Sequence, residues 1–171
     1  MTGVPVITVD GPSGAGKGTI SHMLADRLGW HFLDSGALYR VTGQACIIEG
    51  VSWDDQQAVA EIARHLDVGF TLSASGDMGT VVFRDAPLKF FLTASAEERA
   101  ERRYKQLIAK GENVSLPRLL ADIQERDERD SSRPVAPLVP AEDAIVIDSS
   151  ATPITEVFER VLLEVKKKGF I

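Results

Sequence analysis

The chain has 171 residues, 44% of them hydrophobic, which is enough for one good core and too few for two full domains. Its formal charge of −6 argues against the extended basic surface that binds a nucleic-acid polymer, so any anion site must be a local cluster of Arg and Lys. The one cysteine, Cys46, excludes an internal disulfide framework and reads as a small buried apolar residue; with no bilayer-length apolar run and no basic-then-apolar leader, a cytoplasmic monomer without membrane contact is expected.

Val4 to Asp10 is a short β-branched run of the kind found in a strand buried on both faces of a parallel sheet. It leads into Gly11-Pro12-Ser13-Gly14-Ala15-Gly16-Lys17-Gly18-Thr19, a phosphate-binding loop. Its glycines leave backbone N–H groups to face an anion, the following helix adds its positive end, and Lys17 can reach the outer phosphates. Gly18 stands where the general motif has Ser or Thr, so Thr19 must serve the phosphate or magnesium side. Ile20, Met23, Leu24 and Leu28 give the helix its apolar stripe, and Gly29 stops it. Trp30 to Leu33 is expected to be a second strand.

Asp34-Ser35-Gly36 then falls where an open α/β sheet places its ligands, outside the carboxyl end of a strand and at a helix start. Ser35 fits that helix equally as an N-cap. Tyr39 and Arg40, one turn on, suit a nucleotide's base and phosphate. The helix runs to Glu49, with Gly50 as its stop. Ser52 with Asp55 reads as the capping box of a further helix, carrying Val59, Ile62, Ala63 and Leu66 on one side.

Asp67 to Leu72 and Val81 to Phe83 are short strand-like runs, and Leu88 to Leu92 is a firmer one between Pro87 and Thr93. Ser95-Ala96-Glu97-Glu98 is a capping box for a helix from Glu97 to Lys110, on which Arg99, Arg102 and Arg103 share a face. The next helix, Ser115 to about Asp130, buries Leu116, Leu119, Leu120 and Ile123. Arg126, Arg129, Asp130 and Arg133 continue as one face if the helix persists, with Glu125, Asp127 and Glu128 off it. Such a run is either a solvated, salt-bridged face or an anion site; beside a phosphate loop in an acidic protein the second reading is favoured. Ala144 to Asp148 is the last strand. Thr152-Pro153 caps a closing helix with Ile154, Val157, Val161, Leu162 and Val165 inward and Lys166 to Lys168 at its negative end.

Alternating strands and helices with the loop after the first strand describe an α/β fold: a doubly wound parallel sheet with helices on both faces. The order of its strands is not legible in the periodicity.

Four stretches also carry a resemblance: the phosphate loop, Leu33-Asp34-Ser35-Gly36-Ala37-Leu38-Tyr39-Arg40, Asp77-Met78-Gly79-Thr80-Val81-Val82-Phe83, and Glu125-Arg126-Asp127-Glu128-Arg129-Asp130 with Arg133. Together they resemble the bacterial cytidylate kinases over nearly the whole chain. The resemblance implies transfer of the γ-phosphoryl group of ATP, with Mg2+, to CMP or dCMP. It implies that Ser35 and Asp130 contact the acceptor sugar, Arg40 its phosphate and Asp77 its cytosine, while Arg126 and Arg133 meet the acceptor or the transferred group. Arg102 and Arg103 match a lid over ATP spanning about residues 99 to 133. The chain departs from the family in lacking roughly fifty residues between the strand at Asp67 to Leu72 and the Asp77 motif, where Gly76 meets Asp77 directly. That puts an acceptor-binding insert in question. Either it is deleted, or the numbering closes over it, with a wide Cα separation expected between Ser73 and Asp77. The competing expectations are a UMP or non-nucleotide kinase of the same fold, and a nucleotide-binding module without turnover.

Overall fold

The computed structural model describes residues 5–66, 85–134 and 136–171. The run at 67–72, the junction between Ser73 and Asp77, Asp77 itself and the run at 81–83 lie outside the described residues.

Among the described residues three parallel strands form the sheet: β1 (Ile7–Asp10), β2 (Leu88–Thr93) and β3 (Ile145–Asp148), in that order. β2 lies in the middle, pairing Val9 with Phe90 and Phe91 with Val146. The central position explains its largely apolar character, since five successive residues from Leu88 to Leu92 are buried. Even Lys89 is buried there, its ammonium donating to both oxygens of Asp143 at 2.9 and 2.6 Å.

Six helices among the described residues surround the sheet: α1 (Lys17–Leu28), α2 (Ser35–Glu49), α3 (Gln56–Arg64), α4 (Ala96–Ala109), α5 (Leu116–Ser131) and α6 (Ile154–Lys167). The main core joins Val9, Phe90, Leu92 and Ile147 of the sheet to Ile20 and Leu24 of α1 and to Val157, Val161, Leu162 and Val165 of α6. This fixes the carboxyl ends of the strands, where the loops gather. Cys46 is free and fully buried, as its solitary apolar reading expects.

Several local expectations are corrected. Trp30 to Leu33 forms no strand. Its rings serve neighbouring elements instead, Trp30 edge-on to Phe170 at 5.4 Å and Phe32 edge-on to His22 at 4.3 Å. Asp34, not Ser35, caps α2, because its extended backbone lets Oδ1 accept from the amide of Ala37 at 3.0 Å. Asp55, not Ser52, caps α3 in the same way through Ala58. Only half of the box at α4 forms: Ser95 Oγ accepts from the Glu98 amide, while the Glu98 carboxylate turns to Arg102. Thr152 gives way to Pro153 at the cap position of α6, and Ile154 stays 38% exposed beside the phosphate loop instead of entering the core. α5 ends at Ser131, so Arg133 lies beyond it.

Candidate active site

The turn from β1 into α1 is set by close approach. Gly11 has φ +138°, and a Cβ there would lie 1.9 Å from the carbonyl oxygen of Leu92, so only glycine lets the loop cross the end of β2. Pro12 and Ala15 are buried beneath the loop while Ser13, Gly14 and Thr19 are exposed above it. Lys17 curls back over the loop, donating to the carbonyls of Gly11 at 2.7 Å and Pro12 at 3.0 Å.

The loop forms the floor of a cleft of about 1570 Å³. Along it lie Gly11, Ser13, Gly14, Gly16, Lys17, Gly18 and Thr19. α2 contributes Tyr39 and Arg40, α4 contributes Arg102 and Arg103, and α5 with its following turn contributes Arg126, Asp130 and Arg133. The expected local cluster of cations in an acidic chain is therefore present in one place. Ser35 opens α2 at the cleft's edge between Asp34 and Gly36, which line it.

Each of these arginines but Arg103 is held by a carboxylate partner. Arg40 pairs with Asp34 at 2.7 Å, and Arg102 donates to Glu98 at 2.9 Å and to the carbonyl of Ser149 at 2.5 Å. Arg126 and Arg133 flank one carboxylate, Asp130, with Arg126 Nε 3.4 Å from Oδ2 and Arg133 Nη2 on Oδ1. Arg40, Arg126 and Arg133 are themselves exposed, while their partners Asp34 and Asp130 are 11% and 14% exposed, so each pair holds a guanidinium at the cleft from a carboxylate set into its wall. At the end of β3, Asp148 is held below its ordinary value of 3.8 by hydrogen bonds from the Ser150 hydroxyl and then its amide.

Two readings of the charged helix need amendment. Arg129 pairs with Glu125 at 2.9 Å on exposed side chains and does not line the cleft. Asp127, expected off the stripe, lines the cleft and takes an ion pair from Arg99, which is buried. Sequence reasoning missed this pair and the buried Ser149. The signal was available for Arg99: it sits beside Ala100, which with Leu107 marks the buried side of α4.

A family model described as cytidylate kinase matches residues 7–76 and 73–167. The cytidylate kinase of Stutzerimonas stutzeri (strain A1501) is 45% identical over 218 aligned positions covering 95% of each chain. That of Shewanella loihica (strain ATCC BAA-1088 / PV-4) is 45% identical over 219, covering 96% of this chain and 95% of the relative. Among solved structures, a gluconokinase from Sinorhizobium meliloti 1021 superposes with a TM-score of 0.55 at 21% identity over 95% of this chain and 92% of its own, a likeness of fold. From the family match over most of its length and the 45% identity, this chain belongs to the cytidylate kinase family.

Proposed function

We infer that the protein transfers the γ-phosphoryl group of ATP to CMP or dCMP, giving CDP or dCDP and ADP. The observation that carries this reading is the meeting, in one cleft, of the Gly11–Thr19 loop with Arg40 of α2 and with Arg126, Asp130 and Arg133 at the end of α5. Donor phosphates would lie on the loop, and an acceptor monophosphate would lie opposite, between Arg40 and the α5 cluster.

Phosphoryl transfer needs positioning and charge neutralisation more than a protein nucleophile, because the acceptor's own phosphate oxygen attacks. Lys17 would leave the carbonyls of Gly11 and Pro12 for the transferring phosphate, joined by Arg126 and Arg133. At roughly 4 Å and an effective dielectric near 20, each such contact is of the order of 4 kcal/mol before desolvation is subtracted. Ser35 and Asp130 would hold the acceptor sugar and Asp77 its cytosine, with Tyr39, 73% exposed on the cleft wall, beside the base. Arg102 and Arg103 would cover the donor. Mg2+ would be held with the nucleotide phosphates. The exposed hydroxyl of Thr19 fits it as a hard oxygen donor, because this ion keeps several waters and takes few protein ligands; bound there, it would neutralise developing phosphate charge.

We read the chain as a single kinase core with a lid over about residues 99 to 133, its acceptor-binding insert between 73 and 77 either deleted or closed over by the numbering. The two family matches, which overlap at 73–76, support a break in the family pattern at that junction. A cytoplasmic monomer acting on free nucleotides fits the net charge and the free, buried Cys46.

An ADP-release assay with CMP, dCMP, UMP, AMP and shikimate tests the reaction. Preferential turnover of CMP or dCMP is expected. Equal rates with all five, or a preference for another acceptor, would overturn it.

A further inference from the structure

Arg99 differs from the other arginines of the cleft in being only 3% exposed. Its Nε donates to the carbonyl of Ala94 at 2.9 Å, its Nη1 to the carbonyl of Ser13 at 3.1 Å and to Asp127 Oδ1 at 3.0 Å, and its Nη2 to Asp127 Oδ2. One guanidinium thus ties the end of β2, the phosphate loop and α5 together. A planar fork of fixed donors can serve these directions at once, which a lysine ammonium on a flexible stem cannot.

The contact with Ser13 has a consequence on the opposite side of the peptide. In a trans peptide the C=O and the next N–H point in opposite directions, and no described peptide bond is cis. With the Ser13 carbonyl drawn onto Arg99, the Gly14 N–H is turned away from the guanidinium. Gly14 lies directly on the arginine's stem: it has φ +83°, and a Cβ there would be 3.2 Å from Arg99 Cβ and 3.4 Å from Cγ. Ser149, 1% exposed, lies under the next turn of the loop, its hydroxyl shared between the carbonyls of Ala15 at 3.2 Å and Thr93 at 3.1 Å, so the loop is braced against the end of β2 there as well.

Arg99 is not placed to bind phosphate itself. Swinging out would break at once the guanidinium's bonds to the Ala94 and Ser13 carbonyls and to the Asp127 carboxylate, and would empty a site in which the arginine is only 3% exposed.

We propose that Arg99 is a positioning residue for phosphoryl transfer: it presents the Gly14 amide to the donor's phosphates and, through Asp127, fixes α5 at a set distance from the loop. This rests on the reading of Gly11–Thr19 as the phosphate site. Because Arg126 and Asp130 sit on the same helix as Asp127, the pair sets the spacing between the donor and acceptor halves of the cleft.

The test uses the full chain with Arg99→Lys and Asp127→Asn, measuring ADP affinity by calorimetry, steady-state rates with CMP, and thermal melting. Arg99→Lys is expected to weaken ADP and lower kcat by about tenfold or more each, within the range seen when a preorganised donor is lost. Asp127→Asn leaves the Ser13 contact in place, so it should change ADP binding by less than about threefold while raising KM for CMP and lowering kcat. Lower melting temperatures with ADP affinity and kcat unchanged in both variants would show a purely structural pair and overturn the proposal. If Arg99→Lys does not fold, Asp127→Asn decides by its split between KM for CMP and ADP affinity. If the parent binds ADP but phosphorylates neither CMP nor dCMP, the functional reading fails, and the ADP titrations still decide the role of Arg99.

Discussion

Asp34 and Arg40 meet across Gly36. One oxygen of Asp34 caps α2 through the Ala37 amide at 3.0 Å, and the other accepts from Arg40 Nη2 at 2.7 Å. A Cβ on residue 36 would lie 2.9 Å from Asp34 Oδ1 and 3.1 Å from Arg40 Nη1, so a methyl group there must displace one or both. Gly36→Ala therefore gains helix propensity of about 1 kcal/mol and loses a cap of about the same size, leaving stability nearly unchanged. The displaced Arg40 should raise KM for CMP several-fold without altering ADP affinity. Steady-state kinetics beside a thermal melt check this, and an equal effect on both nucleotides would remove Arg40 from the acceptor side.

Lys17→Ala should leave the melting temperature within a few degrees of the parent and lower turnover by roughly a hundredfold or more, since a preorganised charge contact to a transition state is worth about 3 to 4 kcal/mol. The hydrogen bonds from Lys17 to Gly11 and Pro12 go to carbonyls of its own loop, so folding loses little with them. Arg126→Ala and Arg133→Ala should behave alike, because each pairs with Asp130 at an exposed position. A loss below fivefold for Lys17→Ala would count against its role at the phosphates.

What could be read in the chain beforehand was whatever depends on local periodicity or on a motif. α1 runs from Lys17 to Leu28 as its stripe and the Gly29 stop require, and β2 occupies the run between Pro87 and Ala94. The cleft's cations were legible because Arg40, Arg102, Arg103, Arg126 and Arg133 stand in motifs whose residue types and spacing can be read directly along the chain. Caps slipped by one to three residues: Asp34 takes the Ala37 amide one residue before Ser35, and Ser52 accepts from the Asp54 amide while Asp55 takes that of Ala58. Trp30 to Leu33 misled because an apolar run does not itself give the backbone a strand to pair with; Trp30 and Phe32 pack on rings of other elements while Leu33 stays 42% exposed. The Arg99 to Asp127 pair was hidden for a different reason: it joins residues 28 apart, and only packing of α4 on α5 reveals that one arginine in three faces inward.

Gly11→Ala should be among the most destabilising single changes in the loop. The added methyl would meet a backbone oxygen at 1.9 Å, which cannot rotate aside as a side chain would, and φ +138° is itself strained for an L residue. A loss of more than about 3 kcal/mol is expected in urea denaturation, together with loss of ADP binding. A variant less than about 1 kcal/mol below the parent would mean that the loop relaxes away from β2 without cost.

The acid limb of stability should report on Lys89 and Asp143. The Asp143 carboxyl is held below its ordinary value of 3.8, chiefly by the hydrogen bond from the Lys89 ammonium. A carboxylate whose folded pKa is depressed adds stability above its unfolded pKa and loses it as the pH falls through the folded value. Asp143→Asn should therefore melt below the parent at neutral pH, because Lys89 is buried and loses its anionic partner. The gap should stay level from about pH 7 to about pH 5 and close below about pH 3.8 as the parent's own carboxylate is protonated. Asp148, also depressed, titrates in the same region but is present in both proteins and cancels in the difference. Melting curves of the two proteins at unit steps of pH decide the matter: a gap that persists unchanged at the acid end would show that the substituted amide perturbs packing, not charge.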